Sequence, residues 1–265
     1  MAHPTAAEIA NMITIGVEQK AYPRNLFKYR SLGQFTEKII TDNEVYFSDP
    51  LIFNDPYDCN TPINVATPLS DIKVWLHSVG IDPAQVDYYA NILKDNPDAM
   101  REATELAMSK LGLCCFSTLE DSILEWSHYS DYHKGICLKF DITEDPEFFF
   151  LPVIVAYRKV MQHYNHFVSP NKVVEYLIKP KYSDWSYESE IRIVKYETMI
   201  AANRGSRAFK YKNNALKEVI FGAKATDATI AHYKALCAAH GKAHVQFFRM
   251  ILGTGTHYEL VKVPA

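Results

Sequence analysis

The sequence predicts an α+β fold built on a mixed, mostly antiparallel sheet. Strand-like segments follow one another directly at residues 135–141 and 148–157, and again at 245–250 and 258–263. Elsewhere strands and helices alternate irregularly, which disfavours a doubly wound parallel sheet. A helical block at residues 70–110 separates the early strands from the later ones. Nothing resembling a linker, repeat or low-complexity tract divides the 265 residues, so one domain over 1–265 is expected, with a mainly helical insertion at about 68–111.

In chain order, residues 6–20 read as a helix and 26–30 as a short strand. Ser31 opens the next helix, with Gln34 as its capping-box partner. Residues 44–48 alternate as a strand, and 49–62 form a loop with Pro50, Pro56 and Pro62. The helical block breaks near Gly80 to Pro83 and again at Asn96 and Pro97. The continuous apolar run 112–117 reads as a buried strand. Thr118, with Asp121 three residues on, caps a helix running to about Tyr129. Pro170 starts a helix after Ser169. Residues 190–196 and 217–222 are strands, and Thr226 caps a helix that ends at Gly241.

A hydrophobic fraction of 48% and a charged fraction of 22% exclude a disordered chain. The net charge of −3 lacks the overall footprint of a polyanion binder, although Arg204, Arg207, Lys210 and Lys212 form a local basic run. The 17 Tyr, 14 Phe and 3 Trp suit either a dense core or the lining of a cleft for a flat ligand. Five cysteines, an odd number with no C-x-x-C pair, point to a reducing compartment and away from structural zinc. No basic-then-apolar leader and no long apolar run is present, so a cytoplasmic chain without membrane contact is expected.

Three segments carry candidate chemistry. Asn54, Asp55, Pro56, Tyr57 and Asp58 combine carboxylates, an amide and a phenol: a structural Asx-type turn, or a loop shaping a substrate pocket. Trp126 and Tyr129 share a helical face, as core or as a stacking platform. Here His128 and His133 read as ordinary polar histidines. In the run Tyr187, Glu188, Ser189, Glu190, the two carboxylates would share one face of an extended chain, and close like charges raise a pKa. The alternative is a strand edge with Glu190 paired to Arg192 or Lys181. Phosphate loops, H-E-x-x-H, G-x-S-x-G and G-x-G-x-x-G are absent, leaving kinases, zinc proteases, typical serine hydrolases and Rossmann dehydrogenases unsupported.

The motifs Leu26-Phe-Lys-Tyr-Arg-Ser-Leu32, Phe53-Asn-Asp-Pro-Tyr-Asp58, Cys115-Phe-Ser-Thr118 and Trp185-Ser-Tyr-Glu-Ser-Glu-Ile-Arg192 together resemble an uncharacterised prokaryotic domain family. More distantly, Arg30, Ser117 with Thr118, and Glu188-x-Glu190 resemble, in that order, the Arg-Ser-Glu class of ADP-ribosyltransferases. That resemblance implies an ADP-ribosyltransferase-like fold and NAD as substrate. It assigns NAD binding to Arg30, Tyr29, Ser117, Thr118, Trp126 and Tyr129, and catalysis to Glu190 and Glu188. Asn54, Asp55, Tyr57 and Tyr187 would contact the substrate, with no metal. A toxin or defence role on a protein or nucleic-acid target is the corresponding expectation. The alternatives are a nucleotide or nucleic-acid binding module without catalysis, and a metal-dependent hydrolase or nuclease using Asp55, Asp58, Glu188 and Glu190.

Overall fold

A computed structural model describes residues 4–60, 67–165, 167–169 and 172–265. The fold is mixed α and β, with a large, mostly antiparallel sheet and helices. The chain divides into two compact units, one of Met1–Phe47, Leu113–Ile154 and Ser186–Ala265, the other of Ser48–Gly112 and Val155–Trp185.

In the first unit the strands are β1 (Asn25–Arg30), β2 (Glu44–Tyr46), β3 (Gly112–Ser117), β4 (Ile136–Asp141) and β5 (Val153–Ile154). In the second unit lie β6 (Ala156–Arg158) and β7 (Pro180–Tyr182). The first unit resumes with β8 (Glu190–Lys195), β9 (Ala208–Lys210), β10 (Leu216–Phe221), β11 (Gln246–Leu252) and β12 (Leu260–Pro264). Its eight-stranded sheet runs β12-β11-β10-β4-β1-β3-β8-β5 among the described residues. The β10–β11 pair is parallel, whereas β1–β3, β1–β4, β4–β10, β11–β12 and β5–β8 are antiparallel. The strands β2 and β9 form a separate antiparallel pair.

Period-two alternation splits the sheet into two faces. Leu26, Phe116, Leu138, Phe140, Ile191, Ile193 and Phe221 point to one. They are covered by Ile13 of α1 (Ala6–Glu18), Ile39 and Ile40 of α2 (Gln34–Thr41), and Ile230, Tyr233 and Cys237 of the long C-terminal helix Asp227–Ala239. Each fully buried large apolar side chain contributes about 1.5–3 kcal/mol. A β-bulge between Leu216 and Glu218 re-aims the chain, so that Leu216 and Val219, three apart, reach the same face. The intervening alternate residues Phe27, Tyr29, Cys137, Ile220 and Met250 build a second, smaller cluster around Trp126 on the other face.

Two helix starts differ from expectation. The helix α2 begins after Gly33, whose φ of 140° suits only glycine, while Ser31 uses its carbonyl to accept from Thr36 Oγ1 at 2.7 Å. Ser122, not Thr118, caps the helix Ile123–Tyr129, because Thr118 is engaged by Ser189. Thr226 caps its helix as expected, accepting from Thr229 N. The 148–157 segment is not one strand: Phe148 and Phe149 are core residues of a turn, followed by the short β5 and β6. The expected start at Pro170 lies outside the described residues.

The second unit contains α3 (Leu69–Ser78), α4 (Pro83–Asp95) and α5 (Pro97–Ser109), broken at the prolines that the sequence marks. Ile72, Leu76, Val86, Ala90 and Phe167 form its core. The strands β6 and β7 pair in parallel. No helix among the described residues is long and apolar enough to cross a membrane.

Candidate functional site

The strand β3 ends at Ser117 and neighbours β8, which begins at Glu190. The turns at these two strand ends are laced together by side chains. Ser117 Oγ donates to the Glu188 carbonyl at 2.7 Å and accepts from Leu119 N at 3.1 Å. Thr118 Oγ1 donates to Ser189 Oγ at 2.7 Å, and Thr118 N donates to Ser189 O at 3.1 Å. These bonds hold Ser189 in the left-handed region, at φ 45°.

The helix Ile123–Tyr129, here α6, lies over this seam. Tyr129 donates its hydroxyl to Glu188 Oε1 at 2.5 Å, and His128 Nδ1 meets the Tyr187 hydroxyl at 2.8 Å. Glu188 is buried, whereas His128 is exposed and Tyr129, Tyr187, Thr118 and Ser189 are half-buried. The arrangement is therefore a buried carboxylate under a rim of hydroxyls and an imidazole. The short charge-assisted bond from Tyr129 fixes that carboxylate.

Glu190 has a different neighbourhood. Arg192 grips both of its oxygens, Nε to Oε1 at 2.8 Å and Nη2 to Oε2 at 3.0 Å, and the Arg192 side chain is wholly buried. Burial and the adjacent Glu190 carboxylate push the Cys115 thiol well above its usual pKa. The shared-face argument for Glu188 and Glu190 does not hold, because residues Ser183–Glu188 form a 3-10 helix and Ser189 is not extended. Each carboxylate has its own partner, and the Arg192 pairing considered for Glu190 is the one present.

Arg30 is not brought to the seam. It follows Tyr29 along β1 and so faces the opposite side of the sheet, the Leu26 side, where its Nε lies 3.4 Å from Thr36 Oγ1. Phe27 is the residue opposite Ser117. Tyr29 and Trp126 are structural rather than open to a cofactor. Both are buried, their rings meet edge to face at 5.1 Å, and each donates a hydrogen bond to a backbone carbonyl, Leu119 O and Glu120 O respectively. Burial, first, and the nearby Cys137 and Glu125 push the Tyr29 phenol pKa far up.

In the second unit Asp55 accepts from Tyr57 N at 2.9 Å, the Asx-type turn of the sequence reading. Asp58 pairs with Lys181 at 3.5 Å. Asn54 and Tyr57 are exposed. Among the described residues no group of three or more His, Cys, Asp or Glu side chains is arranged to hold a metal ion.

Comparison with protein-family models, with curated proteins and with solved structures finds no match. The seam therefore stands on its own chemistry. Sequence reasoning assigned Ser117, Thr118, Tyr129, Tyr187 and Glu188 to a site, and these five do meet. It passed over His128, whose contact with Tyr187 spans 59 residues and leaves no local pattern. It offered Arg192 as a partner of Glu190, which the Glu-x-Arg spacing along a strand places on one face, but it passed over Cys115 beside them.

Proposed function

We propose that the seam is a glycosyl-transfer site and that the chain consumes NAD in the manner of an ADP-ribosyltransferase, with Glu188 as its catalytic carboxylate. The observation that carries this reading is the buried Glu188 carboxylate held by Tyr129 under a polar rim. In such a reaction the C1′–N bond of the nicotinamide riboside breaks and its electron pair stays with nicotinamide. An acceptor, water or a target side chain, then forms the new bond to C1′ and loses its proton to solvent. A fixed carboxylate stabilises the cationic ribosyl group between these events. The rim pair His128 and Tyr187 is suited to orienting a ribose hydroxyl or the acceptor.

Arg30 has no part in this version, since it lies across the sheet, and Glu190 acts through its pairing with Arg192 to fix the start of β8. The proposed acceptor is a protein or nucleic-acid target, in a toxin or defence role. A second reading, nucleotide binding without catalysis, is favoured by one observation: both carboxylates are buried and already bonded. Incubating the purified chain with NAD and measuring both binding heat and free nicotinamide separates the two. Nicotinamide release supports transfer or hydrolysis, binding without release supports the second reading, and neither contradicts both.

A further inference from the structure

The second unit carries a cleft that the seam chemistry does not use. It is lined by Tyr57, residues 158–162 and residues 180–182, with a volume of about 250 Å³. That is just under the roughly 300–1,000 Å³ of clefts for drug-sized ligands, so it suits a small ligand; such clefts combine apolar walls with a few charged groups. Three features of this one point to the same ligand chemistry.

The walls are aromatic and apolar yet solvent-facing: Tyr57 is 65% exposed, Val160 79% and Tyr182 47%. Large apolar side chains left this open in one small area are a mark of ligand contact. The cleft is also cationic. Arg158 and Lys159 sit on its rim, and among the described residues neither has a carboxylate partner. Finally, the frame is rigid. The parallel β6–β7 register sets Arg158 directly beside Tyr182 on one face, and the Asp55 turn with the Asp58–Lys181 ion pair fixes the base of Tyr57.

A phenol ring and a guanidinium side by side, with a second phenol and a lysine ammonium nearby, match a flat ring that carries a phosphate. The ring stacks on tyrosine and the phosphate meets the cations. We propose that this cleft binds a nucleoside monophosphate unit, free or as part of a larger nucleotide.

The test is calorimetric titration of the full chain with adenosine 5′-monophosphate, adenosine and inorganic phosphate. The monophosphate is expected to bind one to one, and adenosine and phosphate alone to bind roughly tenfold or more weakly. Tyr57→Ala, and separately Arg158→Gln with Lys159→Gln, are each expected to lower its affinity roughly tenfold, and the double variant to flatten the salt dependence. These side chains are exposed, so the fold is retained. Glu188→Gln must leave the affinity unchanged. No heat with the monophosphate at about 1 mM, or an affinity that survives both cleft variants, would overturn the inference. Binding lost in Glu188→Gln but kept in Tyr57→Ala would place the nucleotide at the seam and overturn the cleft alone.

Discussion

Arg192 holds both carboxylate oxygens of Glu190, and the pair is buried at the start of β8. Removing one partner of a buried ion pair leaves the other uncompensated, which costs about 3–5 kcal/mol. Glu190→Gln is therefore expected to lower unfolding stability by about that amount in urea titration. Adding Arg192→Met to it recovers part of the loss, since the buried guanidinium that has lost its carboxylate is removed. A Glu190→Gln variant as stable as the wild type contradicts this account of the pair.

Ser117 supplies the seam with one donated and one accepted bond while itself buried. Ser117→Ala leaves the Glu188 carbonyl and the Leu119 amide without these partners, at a cost of about 1–3 kcal/mol. Thermal melts check it. No change in melting temperature would mean that the seam is held by its backbone bonds alone.

Lys195 is buried with its ammonium among Phe47, Phe148 and Phe209, at 5.3, 5.1 and 5.4 Å from the ring centroids, and donates to Phe148 O. Burial pulls its pKa down to about 8, against the nearby Asp145 carboxylate, which pulls it up. The folded pKa is depressed below the unfolded value near 10.5, so between pH 8 and 10.5 the unfolded chain binds more protons. Stability from this group is fully present above the unfolded pKa and is lost as pH falls through the folded one. The fall from 10.5 to about 8 corresponds to about 3 kcal/mol. Buried cysteines and tyrosines with raised pKa values, such as Cys237 pushed up to about 11, act in the opposite sense at high pH. The measurement is accordingly the stability difference between wild type and Lys195→Met. It should move in favour of the wild type by up to that amount from pH 8 to 10.5. A difference independent of pH contradicts the depressed pKa.

Local rules made most of the fold legible. The three-helix insertion, with breaks at Gly80 to Pro83 and at Pro97, follows from proline and glycine placement. The strands β3, β8 and β10 follow from apolar runs and alternation. The cap of α6 was misplaced because Thr118 has a tertiary partner, Ser189, that outcompetes its local capping role. The seam residues were legible as motifs, but their roles were not. Strand direction and face decide that Arg30 lies across the sheet from Ser117, and no motif order contains that information. Likewise Trp126 and Tyr129 share a helical face as spacing suggests, yet one is sealed in the core and the other reaches Glu188.

Trp126 is fully buried against Tyr29, and its indole N–H bonds Glu120 O. Trp126→Ala is expected to cost about 3–5 kcal/mol, whereas Tyr29→Phe, which loses only the bond to Leu119 O, costs about 1 kcal/mol. Neither side chain is open to a ligand, so Tyr29→Phe leaves NAD affinity unchanged by calorimetry. A tenfold loss of affinity in that variant would restore Tyr29 to the binding surface.

The most direct test of the central claim compares nicotinamide release from NAD by the wild type, Glu188→Gln and Tyr129→Phe, beside their thermal melts. The account predicts measurable release by the wild type and a drop of about 10²–10³-fold in Glu188→Gln, the usual cost of losing one transition-state electrostatic contact. Tyr129→Phe should fall in the same direction by less, because it removes one bond to the carboxylate and keeps the carboxylate itself. Wild-type release in a folded Glu188→Gln variant, or no release by the wild type itself, would contradict the assignment of the seam as a glycosyl-transfer site.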